Sequence, residues 1–187
     1  ACAAPAMAAT PSSGFVKVEG TGFVIDGKPY RFAGANFWYG AYLGAPDGLG
    51  DRARLLAELD QLQAAGIDNL RVLAMSEASD FKRGVRPAIM TAPGQYDERL
   101  LQGLDFLLAE MAKRDMKAVL YLNNFWQWSG GMSQYVSWFT GEPLSDPDRT
   151  GDWNAFMDYS ARFYAIPEAQ ALYRDAIRTV IGRTNSV

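Results

Sequence analysis

The 187-residue sequence contains no histidine and only one cysteine. Without histidine, these residues cannot form a Ser-His-Asp or Cys-His nucleophile arrangement or a metal site built on imidazole. The single cysteine, Cys2, cannot form an internal disulfide, so cysteine usage leaves the redox compartment open. Chemistry carried by these residues must therefore use carboxylates, amides, arginine and aromatic rings.

Long apolar runs and an excess of positive charge are also missing. No stretch approaches the ~20 apolar residues that a membrane-spanning helix needs. The net charge is -3 and the pI is about 5.0, with scattered lysines and arginines, which argues against a nucleic-acid partner. Aromatic residues make up 13% of the chain, which suggests that some rings do more than pack a core.

The N-terminus is rich in alanine and uncharged over residues 1–13. This composition predicts the remnant of an export signal and a linker over 1–14, before a domain over 15–187, and hence a secreted or periplasmic protein. Ala6-Met7-Ala8 suits a signal peptidase, whereas Ala1-Cys2 also fits a lipoprotein anchor at Cys2. An ordinary N-terminal tail is the alternative.

The remaining sequence alternates short apolar strands with helical patterns. Asp26-Gly27 predicts a hairpin turn, and the apolar strand at 32–36 leads into a loop rich in aromatic residues. Helices are predicted after Asp51 and from about Asp97, with strands at 67–73 and 118–122. The connection over 123–167 reads as a long loop, and helical spacing resumes only over 169–181.

This order gives three β-α units whose strands are too apolar to face water on either side. The loops after strands are long and aromatic, whereas those after helices are tight, which favours a (β/α)8 barrel over a doubly wound sheet. No phosphate-binding glycine loop follows a strand, so a nucleotide-binding domain lacks its usual signature. A barrel takes about 250 residues. We therefore expect the chain to be truncated at Val187, before strand four.

The pattern Gly-Gly-Met-x-Gln-Tyr-Val-x-Trp over 130–138, which follows the third strand, is a specific motif. Together with the segments 23–30, 34–40, 69–74 and 123–129, it resembles the β-mannanases of glycoside hydrolase family 5.

The resemblance implies an endo-acting, retaining hydrolase of β-1,4-mannosidic bonds in mannan, glucomannan, galactomannan or mannooligosaccharides. It would need no metal or nucleotide cofactor and would be a monomer at full length. The family's two catalytic glutamates follow strands four and seven, the first in an Asn-Glu-Pro motif, and no such motif occurs here. The isolated chain is therefore expected to be inactive.

The resemblance also assigns site residues. Arg71 would stand at the end of strand two and hold the nucleophile ionised and oriented. The alternative is a structural arginine paired with an acid such as Glu77. Glu77 itself could be taken for a catalytic acid, but the family uses other strands for that role.

Aromatic and amide side chains complete the predicted substrate site. Trp38 and Tyr39 match an aromatic pair that can stack on sugar. Their order is the reverse of the usual one, so which ring contacts sugar stays undecided, and packing in the core is the alternative for either. Trp126 would flank the cleft. Asn123 and Asn124 would bind sugar hydroxyls or, alternatively, satisfy loop backbone. Packing of the long loop is the expected role of Trp128, Tyr135 and Trp138.

Three other functions remain open. A β-1,4-glucanase of the same family would share the fold and the site. A truncated, non-catalytic carbohydrate-binding protein would share the aromatic residues alone. A nucleotide-binding α/β domain would require a phosphate loop that the sequence does not show.

Overall fold

The computed structural model describes residues 14–187. The predicted export remnant before Gly14, including Cys2, lies outside the described residues. Within the described part of the chain, no helix is both long and apolar enough to cross a membrane.

The strands form three small sheets: an antiparallel β1-β2-β3 sheet, a parallel β4-β5-β8 sheet and the β6-β7 hairpin. The strands are β1 Lys17–Glu19, β2 Gly22–Ile25, β3 Lys28–Tyr30, β4 Gly34–Asn36, β5 Asn69–Leu73, β6 Met90–Ala92, β7 Gln95–Tyr96 and β8 Lys117–Tyr121. The helices are α1 Gly40–Gly44, α2 Arg52–Ala64, α3 Glu98–Lys113, α4 Gly131–Thr140, α5 Pro147–Thr150, α6 Trp153–Ala161 and α7 Pro167–Ile181.

The antiparallel sheet turns where the sequence carries Asp26-Gly27. Ile25 is paired with Lys28, so Asp26 and Gly27 alone form the loop between β2 and β3. Asp26 and Gly27 have positive φ angles of 51° and 73°, as a tight two-residue hairpin requires.

The helices after β4 and β5 begin where the sequence predicts. Asp51 accepts a hydrogen bond from the Arg54 backbone N–H at 2.9 Å and caps α2. Asp97 caps α3 in the same way through Arg99. Leucines at helical spacing point into the core, and Leu55 is fully buried. Two of the three predicted β-α units are therefore confirmed in position and type.

The prediction of an irregular connection over 123–167 is wrong, because the segment contains α4, α5 and α6. Buried polar residues hide the helical period in this part of the sequence. The Ser133 and Ser160 hydroxyls are fully buried and hydrogen-bond each other at 2.5 Å between α4 and α6. A pattern based on apolar residues cannot anticipate this pairing. The final helix, α7, also begins two residues earlier than predicted, at Pro167.

A short helix that the sequence analysis did not predict, α1, packs closely on α3. Gly44 and Gly103 meet so closely that a side chain on either would overlap the backbone of the other helix. Glycine is required here for close packing of two backbones, and no periodic apolar pattern signals it.

The core lies on one face of the parallel sheet. Leu70 and Val72 of β5 are fully buried beneath the helices. The expectation of two buried faces is wrong for the described residues, because the opposite face is open and Val119 is 47% exposed. In residues 14–187, β4 and β8 each pair on one side only, so the sheet does not close over this face.

Candidate functional site

The open face of the parallel sheet carries polar side chains in register. Asn36 of β4, Arg71 of β5 and Val119 of β8 lie side by side on neighbouring strands. Residues that are paired in register on neighbouring parallel strands have their side chains on the same face of the sheet. A shallow depression of about 270 Å³ on this face is lined by Asn36, Asn69, Arg71 and Val119, among others.

Arg71 is exposed at the centre of this face, in the middle of β5 rather than at the strand end where it was predicted. Its Nη1 donates to Asn36 Oδ1 at 3.2 Å, and its guanidinium lies 3.7 Å from the centroid of the Tyr121 ring. None of the ion pairs within residues 14–187 includes Arg71. Its guanidinium is thus oriented by an amide and a ring, with donor groups left for an acidic partner. The alternative of a structural pair with Glu77 is wrong.

The predicted aromatic pair divides between two environments. Tyr39 donates its hydroxyl to Glu58 Oε2 at 2.9 Å, and Arg54 of α2 lies over its ring. Burial and the Glu58 carboxylate raise the Tyr39 pKa. Trp38 is 36% exposed and lies edge-on to Trp128, with ring centroids 5.3 Å apart. Of the two rings, Trp38 is the one available to a ligand.

The two asparagines after β8 also differ. The Asn124 side chain hydrogen-bonds the loop backbone, because its Oδ1 accepts from the Trp126 N–H at 3.2 Å. The Asn124 backbone carbonyl accepts from the Met132 N–H at 3.0 Å. Asn123 has both amide atoms buried without a hydrogen-bond partner among the described residues. An unsatisfied buried amide is costly, so Asn123 is the better candidate for contact with a polar ligand.

Trp126 belongs to a second aromatic cluster, formed with Trp153 and Phe156 of α6. Its ring is stacked on Phe156 with centroids 6.3 Å apart and meets Trp153 edge-on at 6.1 Å. Trp126 and Trp153 are 48% and 43% exposed. Neither Trp153 nor Phe156 was predicted as a site residue from the sequence. The helical spacing of these two rings just after the Asp152 cap was the available signal.

The Gly-Gly-Met-x-Gln-Tyr-Val-x-Trp motif is a structural junction between the segments that follow β5 and β8. Gly130 and Gly131 both have positive φ, and a side chain at Gly131 would overlap the Asn124 carbonyl. Tyr135 is fully buried in the core. With its amide oriented by hydrogen bonding, Gln134 accepts from Trp138 Nε1 at 2.9 Å and donates to the Ala78 carbonyl at 3.3 Å.

Glu77 lies at this junction and is only 1% exposed. Its Oε2 accepts from the Gly131 N–H at 2.9 Å, whereas its Oε1 is buried without a partner. Burial raises the Glu77 pKa to about 7, against the opposing effects of the Gly131 N–H and Tyr135. This environment, in which the carboxyl group is enclosed by its own loop, was not predicted from the sequence.

A cavity of different character measures about 630 Å³ and lies between α4, α5 and residues 78–80, without any residue of the parallel sheet. We assign the candidate site to the sheet face instead, because an uncommitted arginine, an unsatisfied amide and exposed tryptophans belong to its strands or the segments directly after them. Across residues 14–187, no group of three or more acidic or cysteine side chains is arranged to hold a metal ion.

Parallel strands with intervening helices define the class as an α/β protein, whose candidate site lies on the open face of the sheet and in the segments that follow its strands. The chain belongs to the family described as GH family 5 beta-mannosidase-like, whose sequence profile matches residues 13–187. The predicted resemblance to family 5 is confirmed.

Individual relatives agree with the family. Mannan endo-1,4-beta-mannosidase 1 from Solanum lycopersicum is 30% identical over 97% of this chain and 41% of its own length. Its counterpart from Oryza sativa subsp. japonica is 30% identical over 93% and 36%. The crystal structure of a glycoside hydrolase family 5 mannosidase from Rhizomucor miehei has a TM-score of 0.88 at 44% identity, over 93% of this chain and 44% of that one. The chain thus spans about two fifths of the length of these relatives.

Proposed function

We propose that this chain is the N-terminal part of a (β/α)8-barrel glycoside hydrolase that cleaves internal β-1,4-mannosidic bonds with retention of configuration. The observation that carries the proposal is Arg71, an exposed strand guanidinium held by Asn36 and Tyr121 with no acidic partner among the described residues. Such a group is suited to bind an incoming carboxylate by charge-assisted hydrogen bonds.

Retaining hydrolysis uses two carboxyl groups about 5 to 5.5 Å apart, one as nucleophile and one as acid and base. We propose that both glutamates lie in sequence beyond residue 187, on strands that continue the sheet from β8. Arg71 would keep the nucleophile ionised at neutral pH, because a nearby positive charge lowers the pKa of a carboxyl group. The 187-residue chain alone would bind sugar weakly and have no turnover.

Two exposed tryptophans would border the sugar site. Trp38 and Trp126 lie in the segments that follow β4 and β8, and each is braced edge-on by another aromatic ring. The apolar faces of a mannose ring stack on such surfaces, while its hydroxyls need polar partners such as the Asn123 amide. No metal or nucleotide has a role in this proposal.

A second candidate is a β-mannosidase that acts on short mannosides. The 44% identity to the Rhizomucor miehei mannosidase favours it, as does a related structure of that enzyme, a mutant in complex with mannosyl-fructose. A β-1,4-glucanase and a non-catalytic carbohydrate-binding protein are the remaining alternatives.

Product analysis of the full-length protein tests these proposals. An endo-mannanase lowers galactomannan viscosity rapidly and releases mixed oligosaccharides, whereas a mannosidase releases mannose from mannobiose with little change in viscosity. Turnover of soluble cellulose in place of mannan would identify a glucanase. No turnover, with mannooligosaccharide binding retained, would identify a binding protein. Turnover by the purified 187-residue chain would contradict the assignment of the glutamates.

Export from the cell is also proposed, from the composition of residues 1–13. Fractionation of the producing cells tests it: the protein should be found outside the cytoplasm, and membrane attachment lost on replacing Cys2 would identify a lipid anchor.

A further inference from the structure

Glu77 connects the two loops that carry the aromatic residues of the candidate site. Its backbone N–H donates to the Ser129 carbonyl at 2.8 Å, and its Oε2 accepts from the Gly131 N–H at 2.9 Å. A third bond joins the same loops, from the Val85 N–H to the Trp128 carbonyl at 2.7 Å. The segment that contains Trp126 and Trp128 is thus held at residues 128, 129 and 131.

The glycines of the motif make this connection possible. A side chain at Gly130 would overlap the Glu77 backbone, and one at Gly131 would overlap the Asn124 carbonyl. The loop also closes on itself through the Met132 N–H, which donates to the Asn124 carbonyl at 3.0 Å. Glu77 therefore contacts a closed loop with little freedom to adjust.

The carboxyl group of Glu77 is enclosed yet incompletely bonded. Oε1 makes no hydrogen bond of good geometry among the described residues, although the buried Tyr135 hydroxyl lies close enough to lower the pKa of the carboxyl group. Burying a carboxyl group costs free energy, and an apolar side chain of similar size would avoid that cost. The Gly131 N–H, at the first turn of α4, donates a hydrogen bond that an apolar side chain could not accept.

We infer that Glu77 is a positioning residue, which fixes the loop between β8 and α4 so that Trp126 and Trp128 keep their places beside the sheet face. Trp128 braces Trp38, and Trp126 is stacked on Phe156 of α6, so the loop that the Glu77 carboxyl group helps to hold contacts both aromatic clusters. This inference rests on the proposed function for its effect on substrate, but its effect on the tryptophans is independent of it.

The test uses the full-length protein with E77Q and E77M. Glutamine keeps an acceptor for the Gly131 N–H, whereas methionine fills similar space without one. E77M is expected to raise KM for mannooligosaccharides about tenfold, with kcat within about threefold of wild type, and E77Q should restore KM to within about threefold. The matched controls are E110Q and E110M, at a buried glutamate whose partners are Lys113 and Arg114 of its own end of α3. Neither should change KM.

Three results would overturn the inference. A loss of kcat of about a hundredfold in E77Q would make Glu77 catalytic. An unchanged KM in folded E77M, or an equal rise in KM in E110M, would show that Glu77 does not position the loop. If E77M does not fold, the kcat and KM of E77Q decide, because a positioning acceptor predicts that both stay near wild type.

Acrylamide quenching of tryptophan fluorescence, with W126F to assign the signal, separates this inference from the proposed function. Greater quenching in E77M than in wild type and E77Q supports the positioning role even if the protein hydrolyses no mannoside. Equal quenching in all three overturns it.

Discussion

Arg71 and Glu77 are six residues apart, yet they lie in opposite environments. Arg71 is exposed on the open sheet face, with neutral neighbours and no acidic partner among the described residues. Glu77 is buried and receives a backbone N–H from the loop that encloses it. Charged side chains thus have two different uses here. Arg71 is available to a partner outside these residues, whereas Glu77 stabilises a contact within them.

The largest expected effect is that of removing the available charge. On the proposed function, R71A in the full-length protein should lower kcat by about a thousandfold, because the proposed nucleophile loses its electrostatic partner. In the 187-residue chain, where Arg71 is exposed, R71A should change the unfolding free energy by less than about 0.5 kcal/mol. Steady-state kinetics and urea unfolding measure the two quantities. R178A, at a surface arginine of α7, is the control, and full activity in R71A would contradict the assigned role.

The junction that encloses Glu77 can be broken at Gly131. G131A should destabilise the protein by about 3 to 4 kcal/mol, because the new methyl group overlaps the Asn124 carbonyl at a positive φ. The matched control is G141A, which has a similar φ of 72° but open space around it, and should cost only about 1 kcal/mol. If urea unfolding gave the same loss of unfolding free energy for G131A and G141A, the overlap with the Asn124 carbonyl would not contribute to the loss.

The burial of Glu77 predicts a dependence of stability on pH. Its folded-state pKa of about 7 lies above the ordinary 4.5, so the native state keeps a proton that the unfolded chain releases. The contribution of Glu77 to the unfolding free energy is therefore most favourable below about pH 4.5. It falls by about 3 kcal/mol as the pH rises to about 7. The titratable side chains that interact with Glu77 are Tyr42, Tyr135 and Tyr173.

The difference in unfolding free energy between wild type and E77Q, measured from pH 4 to 8, isolates this effect. Glutamine cannot ionise, so the unfolding free energy of E77Q should rise relative to that of wild type as the pH increases. These 187 residues contain no histidine to titrate in the same range. A difference that does not vary with pH would contradict the raised pKa.

The smallest effects should separate Trp38 from Tyr39. W38A is expected to raise KM about tenfold, because an exposed stacking surface is lost. Y39F should leave KM unchanged and cost about 1 kcal/mol of stability, through loss of the hydrogen bond to Glu58. Kinetics with mannooligosaccharides and thermal unfolding check both, and a rise in KM for Y39F alone would reverse the assignment.

Local signals were sufficient for much of the fold. Asp51 and Asp97 begin helices because their side chains cap the first backbone N–H groups, and leucines at helical spacing bury one face. Strand β5 was predictable as an apolar run, and the arginine within it was recognisable as out of place. Arg71 could therefore be proposed as a candidate site residue from the sequence and the resemblance it carries.

The sequence by itself determined the β2-β3 hairpin, the three parallel strands, the capped helices α2 and α3 and the candidate arginine, because these depend on residues close together in the chain. Only the tertiary structure decided that Ser133 and Ser160 pair, that Tyr39 faces Glu58 while Trp38 is exposed, and that Glu77 is buried against Gly131. Each of these contacts joins residues 19 or more positions apart. The environment of a polar side chain depends on which distant segment folds over it, and a local pattern carries no record of that partner.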